Sequence, residues 1–233
     1  MLRQPGIRAE TAVSHNLLGQ RLGRKGQETR ERILRAALAI LEGPGEGPIT
    51  LTGVAREASV GMTTLYLYFP DLGDLVLAAL KRVMDTADDA FVDKLRARWP
   101  DEGLTEACHD FLRAHHRFWQ VHARILHLRN SFADASDIRF FTYRNEVSRP
   151  LLDLLVRQMD GVPGEAQCER ADLATVLLTA FERTATVVTN PNWALTAREL
   201  HLEDMAGYID RLLRAEARLI ALAVSEKRAE ARG

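Results

Sequence analysis

"ITLTGVAREASVGMTTLYLYF", residues 49–69, contains two short apolar patterns of helical spacing, separated by a turn at residues 59–61. Thr50 is a residue type that caps helix N-termini, so the first helix is expected to begin directly after it. The second helix is expected to begin near Met62 and to run to Phe69. Two short helices joined by a brief turn predict a helix-turn-helix, in which the second helix enters the major groove of DNA.

The two ends of the predicted second helix differ in chemistry. Thr63 and Thr64 lie at its start, and Thr can hydrogen-bond to base edges or phosphates and pack on a thymine methyl group. Leu65, Tyr66 and Phe69 are expected to anchor the helix, with Tyr66 and Phe69 mainly in the core and the tyrosine hydroxyls within reach of phosphates. The residues predicted to contact DNA are Arg24, Lys25, Thr50, Thr52, Met62, Thr63, Thr64, Tyr66, Leu67 and Tyr68.

Charge is distributed unevenly along the chain, although the formal net charge is only −1. Through Phe69, nine Lys and Arg stand against six Asp and Glu, whereas the remainder has 22 against 26. Residues 1–23 lack a sustained apolar period and are expected to form a flexible basic arm. Such an arm ahead of a small domain suits contact with DNA phosphates, and a solvated tail is the alternative interpretation.

Two segments, "TRERILRAALAILE" (29–42) and "ITLTGVAREASVGMTTLYLYFPDLGDLVLAAL" (49–80), closely resemble the TetR family of bacterial transcriptional regulators. The resemblance implies a helix-turn-helix DNA-binding domain over residues 24–71 and a helical domain over 72–233 for ligand binding and dimerisation. It also implies that a homodimer binds a palindromic operator in double-stranded DNA. A small-molecule effector would release it by displacing the helix predicted over 72–98, and repression is the commoner behaviour in the family.

Three residues depart from the family pattern. Ser59 stands where Gly is usual, and a non-Gly residue in a left-handed C-cap costs about 1 kcal/mol, so the turn is expected to be built differently. Gly53 replaces an acidic or polar residue, so the capping box is absent. Within "PDLGD" (70–74), Leu72 or one of its neighbours replaces a Lys that commonly contacts phosphate, and Arg24 and Lys25 are expected to compensate.

The chain as a whole is predicted to be all-α, with about nine helices. No alternating period-2 run occurs, whereas an apolar stripe of helical spacing runs through residues 72–98. Further helices are predicted over 104–122, 123–131, 135–160, 166–189 and 198–229. Pro150 is expected to kink the third of these.

The last two predicted helices carry apolar seams that suit a four-helix bundle across a two-fold axis. A palindromic site needs two recognition helices one turn of DNA apart, which favours a dimer. Packing within one chain is the alternative. The residues predicted to form the dimer interface are Leu177, Phe181, Thr184, Val188, Met205, Tyr208, Leu212 and Leu219.

"CHDFLRAHHRFWQVHARILHLRN" (108–130) is rich in His and aromatic residues. Its histidines lack metal-ligand spacing, because His115 and His122 would stand about 10 Å apart along a helix. With "RFFTYRNE" (139–146), the segment is predicted to line an apolar effector site in which Arg144 meets a carboxylate or phosphate. Core packing and a surface ion pair are the alternatives. The candidate effector-binding residues are His115, Trp119, His122, Phe140, Phe141 and Arg144.

Composition and motifs argue against several other classes. The longest apolar runs are too short to span a membrane, and the N-terminus lacks the apolar core of a secretory signal. Cys108 and Cys168 are too few for a disulfide framework or a zinc site of their own. We therefore expect a cytoplasmic protein without a metal or other cofactor.

No catalytic motif of a hydrolase, a P-loop enzyme or a zinc protease occurs in the sequence. Cys108 and His109 are not a catalytic pair, because neighbouring residues on a helix point about 100° apart. The sequence thus predicts that the chain is not an enzyme. A helical small-molecule-binding protein with a degenerate DNA-binding module, and less so a helical enzyme, stay as alternatives.

Overall fold

The computed structural model describes residues 23–43, 47–164 and 168–232. Within these ranges the chain forms eleven α-helices, one π-helical turn and no strand, so the predicted all-α fold is confirmed. The helices are α1 (Arg24–Glu42), α2 (Leu51–Glu57), α3 (Met62–Tyr66), α4 (Leu72–Met84), α5 (Asp93–Arg96), α6 (Leu104–Val121), α7 (Ala123–Asp134), α8 (Ile138–Gln158), α9 (Glu169–Val188), α10 (Trp193–Glu199) and α11 (Met205–Glu230).

The single helix predicted over residues 72–98 is wrong, because α4 ends at Met84. Thr86 donates both its backbone N–H (3.0 Å) and its hydroxyl (2.7 Å) to the carbonyl oxygen of Val83. These bonds to the third preceding residue replace the regular helical pattern. A π-helical turn, Asp88–Val92, and the short α5 follow. Ala87 and Phe91, which lie beyond the end of α4, are both buried and continue its apolar stripe. The apolar pattern therefore did not indicate that the helix ends at Met84.

The helix predicted over 198–229 is likewise two helices, α10 and α11. His201 adopts a left-handed conformation (φ 53°) and ends α10, and the Leu202 N–H returns to the Ala197 carbonyl at 2.9 Å. Asp204 then caps α11, because its carboxylate accepts a hydrogen bond from the Gly207 N–H at 2.9 Å. A left-handed His carries no glycine signal, which explains why the predicted helix ran through this turn.

The chain divides into two compact units. Among the described residues, the first unit comprises 23–86 and 124–144, and the second comprises 87–123 and 145–232. The division falls inside α8, which continues through Pro150 to Gln158. None of the helices in the described ranges combines the length and the low polarity needed to cross a membrane.

The first unit is built on α1, which packs against α2 and α4. A second segment, residues 124–144, belongs to the same unit and is tied to the end of α1 by Arg124. The Arg124 guanidinium donates to the carbonyls of Ile40 (2.6 Å), Gly43 (3.2 Å) and Gly47 (2.9 Å). Since the last carbonyls of a helix have no partner within it, Arg124 acts as a C-terminal cap for α1.

The second unit packs α6 against α11, α9 and the π-helical turn. Its centre is aromatic. The His115 ring lies 5.1 Å from the Phe91 ring and 4.9 Å from the Phe181 ring, and Phe111 meets Phe181 edge to face at 5.5 Å. His115 is therefore part of the core of this unit.

A buried arginine holds one end of the second unit together. Arg228 is 1% exposed and donates to the backbone carbonyls of Trp99 (2.9 Å) and Gln158 (2.7 Å) and to the carboxylate of Asp101 (2.6 Å). The Gln158 amide in turn donates to the carbonyls of Leu95 (2.8 Å) and Ala97 (2.7 Å). Each group in this network satisfies buried backbone atoms that would otherwise lack partners.

We predict that Arg228→Met lowers the free energy of unfolding by about 3 kcal/mol, since it leaves buried carbonyl oxygens without a donor. Denaturation by urea, followed by circular dichroism, measures the change. Arg232→Met is the control: Arg232 also pairs with Asp101, but it is exposed, so its loss should have a far smaller effect. Equal effects of the two substitutions would contradict the role given to the buried network.

Candidate nucleic-acid interface

The first helix of the predicted helix-turn-helix begins where its cap predicts. Thr50 is extended (φ −134°, ψ 152°), and its hydroxyl oxygen accepts a hydrogen bond from the Gly53 N–H at 3.1 Å. Gly53 has no side chain that could return a bond to Thr50, so the cap is one-sided, as the sequence predicted. The apolar residues Val54, Ala55 and Ala58 are buried against the rest of the first unit.

The turn between α2 and α3 has the usual form despite its serine. Ser59 adopts the left-handed conformation (φ 52°), the Val60 N–H reaches the Ala55 carbonyl at 2.9 Å, and the Ser59 N–H reaches the Arg56 carbonyl at 3.1 Å. These two bonds define a Schellman motif. The expectation that Ser59 would change the construction of the turn is therefore wrong, and the serine instead occupies a conformation that favours glycine.

Two residues hold α3 in place. Leu65 is fully buried and Phe69 is 2% exposed, and the Arg30 guanidinium from α1 lies 5.3 Å from the centre of the Phe69 ring. The helix itself ends at Tyr66 rather than at Phe69. The chain then turns, with the Phe69 N–H still bonded to the Leu65 carbonyl at 3.0 Å. The predicted anchors Leu65 and Phe69 are thus confirmed, on a shorter helix.

Tyr66 is not the core residue that was predicted. Its side chain is 47% exposed, since it projects from the helix away from Leu65 and Phe69. This places a phenol ring on the same surface as the exposed Thr63. Of the other predicted DNA contacts, Thr50 and Thr52 are exposed and Met62, Thr64, Leu67 and Tyr68 are half-buried.

The predicted basic contacts lie on a helix. Arg24 and Lys25 form the first turn of α1 and are exposed, and Arg24 lies 3.4 Å from Glu28 of the next turn. Of the predicted flexible arm, residues 1–23, only Gly23 lies within the described residues.

The segment after α3 contains a charged cluster that sequence reasoning missed. Asp71 caps α4 by accepting a hydrogen bond from the Asp74 N–H at 2.8 Å. Arg139, at the start of α8, contacts the carboxylates of both residues and that of Asp137. Arg139 and Asp71 are 68 residues apart, and no sequence pattern links them. Leu72, the first residue of α4, is half-buried.

The candidate effector residues fall into the two units. In the second unit, the Trp119 indole N–H donates to the His115 ring nitrogen Nε2 at 3.2 Å, and His122 lies 4.8 Å from the ring of Phe118. In the first unit, Phe140 is fully buried and stacks on Phe132 at 4.5 Å. Phe141 is 45% exposed, and the Arg144 guanidinium lies over its ring at 5.7 Å and 3.5 Å from Asp134.

His116 was not a predicted effector residue, yet it is the least satisfied histidine of its segment. It is 6% exposed, and neither ring nitrogen has a hydrogen-bond partner among the described residues. Burial lowers the pKa of its imidazole, so the ring is neutral near pH 7. Within the same described ranges, no three His, Cys, Asp or Glu side chains group so as to hold a metal ion.

The residues predicted to form a dimer interface differ in burial. Leu177, Phe181 and Val188 are buried in the second unit, where Phe181 packs on Phe111, and Thr184 donates a hydrogen bond to Glu216. Tyr208 stacks on Trp193, and Leu212 is half-buried. Met205 and Leu219 are exposed. The exposed large apolar side chains of α9 and α11 are Val176, Met205, Leu219 and Leu222.

No family model matches the chain. The chain is similar to helix-turn-helix transcriptional regulators. The HTH-type transcriptional regulator HbdR of Aromatoleum sp. is 32% identical over 93 residues, which are 40% of this chain and 37% of that protein. The HTH-type transcriptional repressor KstR of Mycolicibacterium smegmatis is 41% identical over 68 residues (29% and 33%), and KstR of Rhodococcus jostii is 39% identical over 62 (27% and 29%). The aligned part spans about a third of these relatives and supports a function in transcriptional regulation.

We predict that Ser59→Gly raises the free energy of unfolding by about 0.5–1 kcal/mol, because glycine adopts the left-handed conformation without a Cβ clash. Ser59→Val should lower it, since a β-branched residue is strained at positive φ. Thermal and urea denaturation of the three proteins test the order Gly, Ser, Val. A destabilised Ser59→Gly variant would contradict the Schellman turn.

Proposed function

We propose that the chain is a ligand-responsive transcriptional repressor of the TetR family that binds a palindromic operator as a homodimer. The observation that carries the proposal is the pair of helices α2 and α3, joined by a Schellman turn, with Leu65 and Phe69 buried below. Thr50, Thr52 and Thr63 are exposed above them. Hydroxyl groups on a short, rigid helix suit contact with base edges and phosphates in a major groove.

The homodimer is supported by exposed apolar side chains on two helices that pack together. Val176 on α9 is 64% exposed, and Leu219 and Leu222 on α11 are 61% and 67% exposed. Leu219 and Leu222 are three residues apart and therefore share one face of α11. Large exposed apolar side chains are typical of interaction surfaces, and a two-fold axis would set the face of α11 that carries Leu219 and Leu222 against its own copy.

The effector is proposed to be mainly hydrophobic, with one or a few hydrogen-bonding groups. The candidate contacts lie in separate units. In the first unit, Phe140 and Phe141 supply aromatic surface and Arg144 can meet an acidic group. In the second unit, Trp119 supplies aromatic surface, and the neutral, buried imidazole of His116 can hydrogen-bond to a ligand. Such a ligand would release the operator by binding the DNA-incompetent state more tightly, since a ligand shifts an equilibrium only by its differential affinity.

DNA binding is tested with the full chain and a random pool of double-stranded DNA. We expect the chain to enrich a palindromic duplex. Thr63→Ala combined with Thr64→Ala should weaken its binding by at least about tenfold in fluorescence anisotropy, because base and phosphate contacts are lost. Alanine keeps helix propensity, so α3 should still form. Thr196→Ala, at an exposed position on α10, is the control and should bind as the unmodified chain does.

Failure to enrich any duplex would refute the DNA-binding proposal and favour the alternative of a ligand-binding protein with a degenerate module. Enrichment of a duplex that the double variant binds equally well would instead place the DNA contacts elsewhere in the chain.

The dimer is tested by Leu219→Glu, which puts a charge on the exposed face of α11. We expect the mass measured by light scattering to fall from twice that of the chain to that of one chain, because the carboxylate would have to be buried. Val162→Glu is the matched control, since Val162 is 68% exposed and lies outside α9 and α11. If the dimer persists in Leu219→Glu and is lost in Val162→Glu, the interface lies near Val162 and not on α11.

A further inference from the structure

Arg139 lies at the centre of three carboxylates. Its Nη1 is 3.0 Å from an oxygen of Asp71 and 2.6 Å from one of Asp74, and its Nη2 is 2.7 Å from an oxygen of Asp137. Its Nε also donates to Asp137, at 3.1 Å, so the guanidinium grips that residue with two nitrogens. The cluster contains one positive and three negative groups.

The guanidinium of Arg139 lies close to the backbone of α4 at Gly73. A Cβ atom on Gly73 would lie 2.5 Å from Nη2 of Arg139, closer than non-bonded atoms approach. Glycine at this position therefore lets the guanidinium reach the first turn of α4. Asp71 is also the cap of that turn, so Arg139 contacts the residue from which α4 begins.

The cluster is close in sequence to the proposed DNA contacts. Asp71 is three residues after Tyr68, and three extended residues span at most about 11 Å. Charges in water act on each other over about 10 Å at 0.1 M salt. At 0.1 M salt or below, the charge of Asp71 therefore acts on a phosphate bound close to the backbone between Tyr68 and Asp71.

We propose that Arg139 is a positioning residue of the DNA-binding surface, which offsets the carboxylates of Asp71 and Asp74 and so permits DNA phosphates to approach the start of α4. The inference rests on the proposed function. It explains how a chain with two acidic residues and a leucine at this point can still bind a polyanion. Arg139 acts through the two carboxylates and need not contact DNA.

A purely structural role makes a different prediction. The side chains of Arg139, Asp71 and Asp74 are 34%, 52% and 33% exposed, so solvent screens the pair with Asp71 most, whereas the bonds to Asp74 and Asp137 are part-buried. Asp137 is the most buried partner, and its hydrogen bond from Arg139 keeps the pKa of its carboxyl below the usual range. A structural role alone predicts that removal of Arg139 lowers the free energy of unfolding, whereas the charge-offset role predicts in addition a salt-dependent loss of DNA affinity in the folded protein.

The experiment uses the full chain and the duplex that it selects from a random pool. Arg139→Gln should weaken binding about three- to tenfold at 0.1 M salt and less than twofold at 0.5 M, because screening removes the repulsion. Arg139→Lys keeps the charge and should bind within about twofold of the unmodified chain. Asp71→Asn with Asp74→Asn, added to Arg139→Gln, should restore affinity, and Asn at position 71 retains the helix cap.

Arg149→Gln is the charge-matched control. Arg149 is exposed on the same helix, about 15 Å along its axis from Arg139, and its removal should leave affinity within twofold. A second variant, Asp71→Asn with Asp74→Asn in the presence of Arg139, should tighten binding. This variant tests the charge argument even if Arg139→Gln unfolds.

The outcomes separate the two proposals. Absence of a selected duplex overturns the proposed function and this inference with it. A selected duplex bound equally well by Arg139→Gln at 0.1 M salt overturns the inference alone. The inference is also overturned if Asn at positions 71 and 74 does not restore the affinity lost in Arg139→Gln. It is overturned too if Arg139→Lys loses as much affinity as Arg139→Gln, because the hydrogen-bonding geometry of the guanidinium, and not its charge, would then be required.

Discussion

The burial of Leu65 and Phe69 is the contact on which the candidate interface depends. Helix α3 has five residues, far fewer than an isolated helix needs to be stable in water. Its position therefore comes from tertiary packing, with Leu65 in the core of the first unit and Phe69 beneath Arg30 of α1. Once those two side chains are buried, the helical period directs Thr63 and Tyr66 outward. The exposed surface is a consequence of the buried one.

The sequence predicted those elements in which apolar period and local capping agree. Val54, Ala55 and Leu65 showed helical spacing, and Thr50 marked the start of α2, so two short helices and their turn followed from local rules. The prediction failed where a helix ends without glycine or proline. Residues 85–86 interrupt a continuous apolar stripe, and His201 takes a left-handed conformation that its residue type disfavours. The prediction that Tyr66 is buried was wrong because an aromatic residue within an apolar pattern need not face the core.

Long-range polar contacts lie beyond such rules. Arg124 caps α1 through carbonyls more than 75 residues away, Arg139 meets Asp71 across 68 residues, and Arg228 bonds to Gln158 across 70. Each is one arginine among many, and neither its own position nor its partner's carries a periodic signal. The predicted effector residues illustrate the same limit. His115 and Trp119 hydrogen-bond to each other in one unit, and Phe140 and Arg144 lie in the other.

The contacts of Arg124 and Arg139 show that residues 124–144 support the helices on either side of the helix-turn-helix. Residues 124–144 hold the C-terminal end of α1 through Arg124 and the first turn of α4 through Arg139. Helices α2 and α3 lie between α1 and α4 in the chain, so the two contacts made by residues 124–144 flank the helix-turn-helix on both sides in sequence. A substitution that altered residues 124–144 would therefore affect the end of α1 and the start of α4, the helices that flank α2 and α3 in the chain. Because α8 begins at Ile138 and continues into the second unit, the same helix carries Arg139 at one end and the core residue Leu155 near the other.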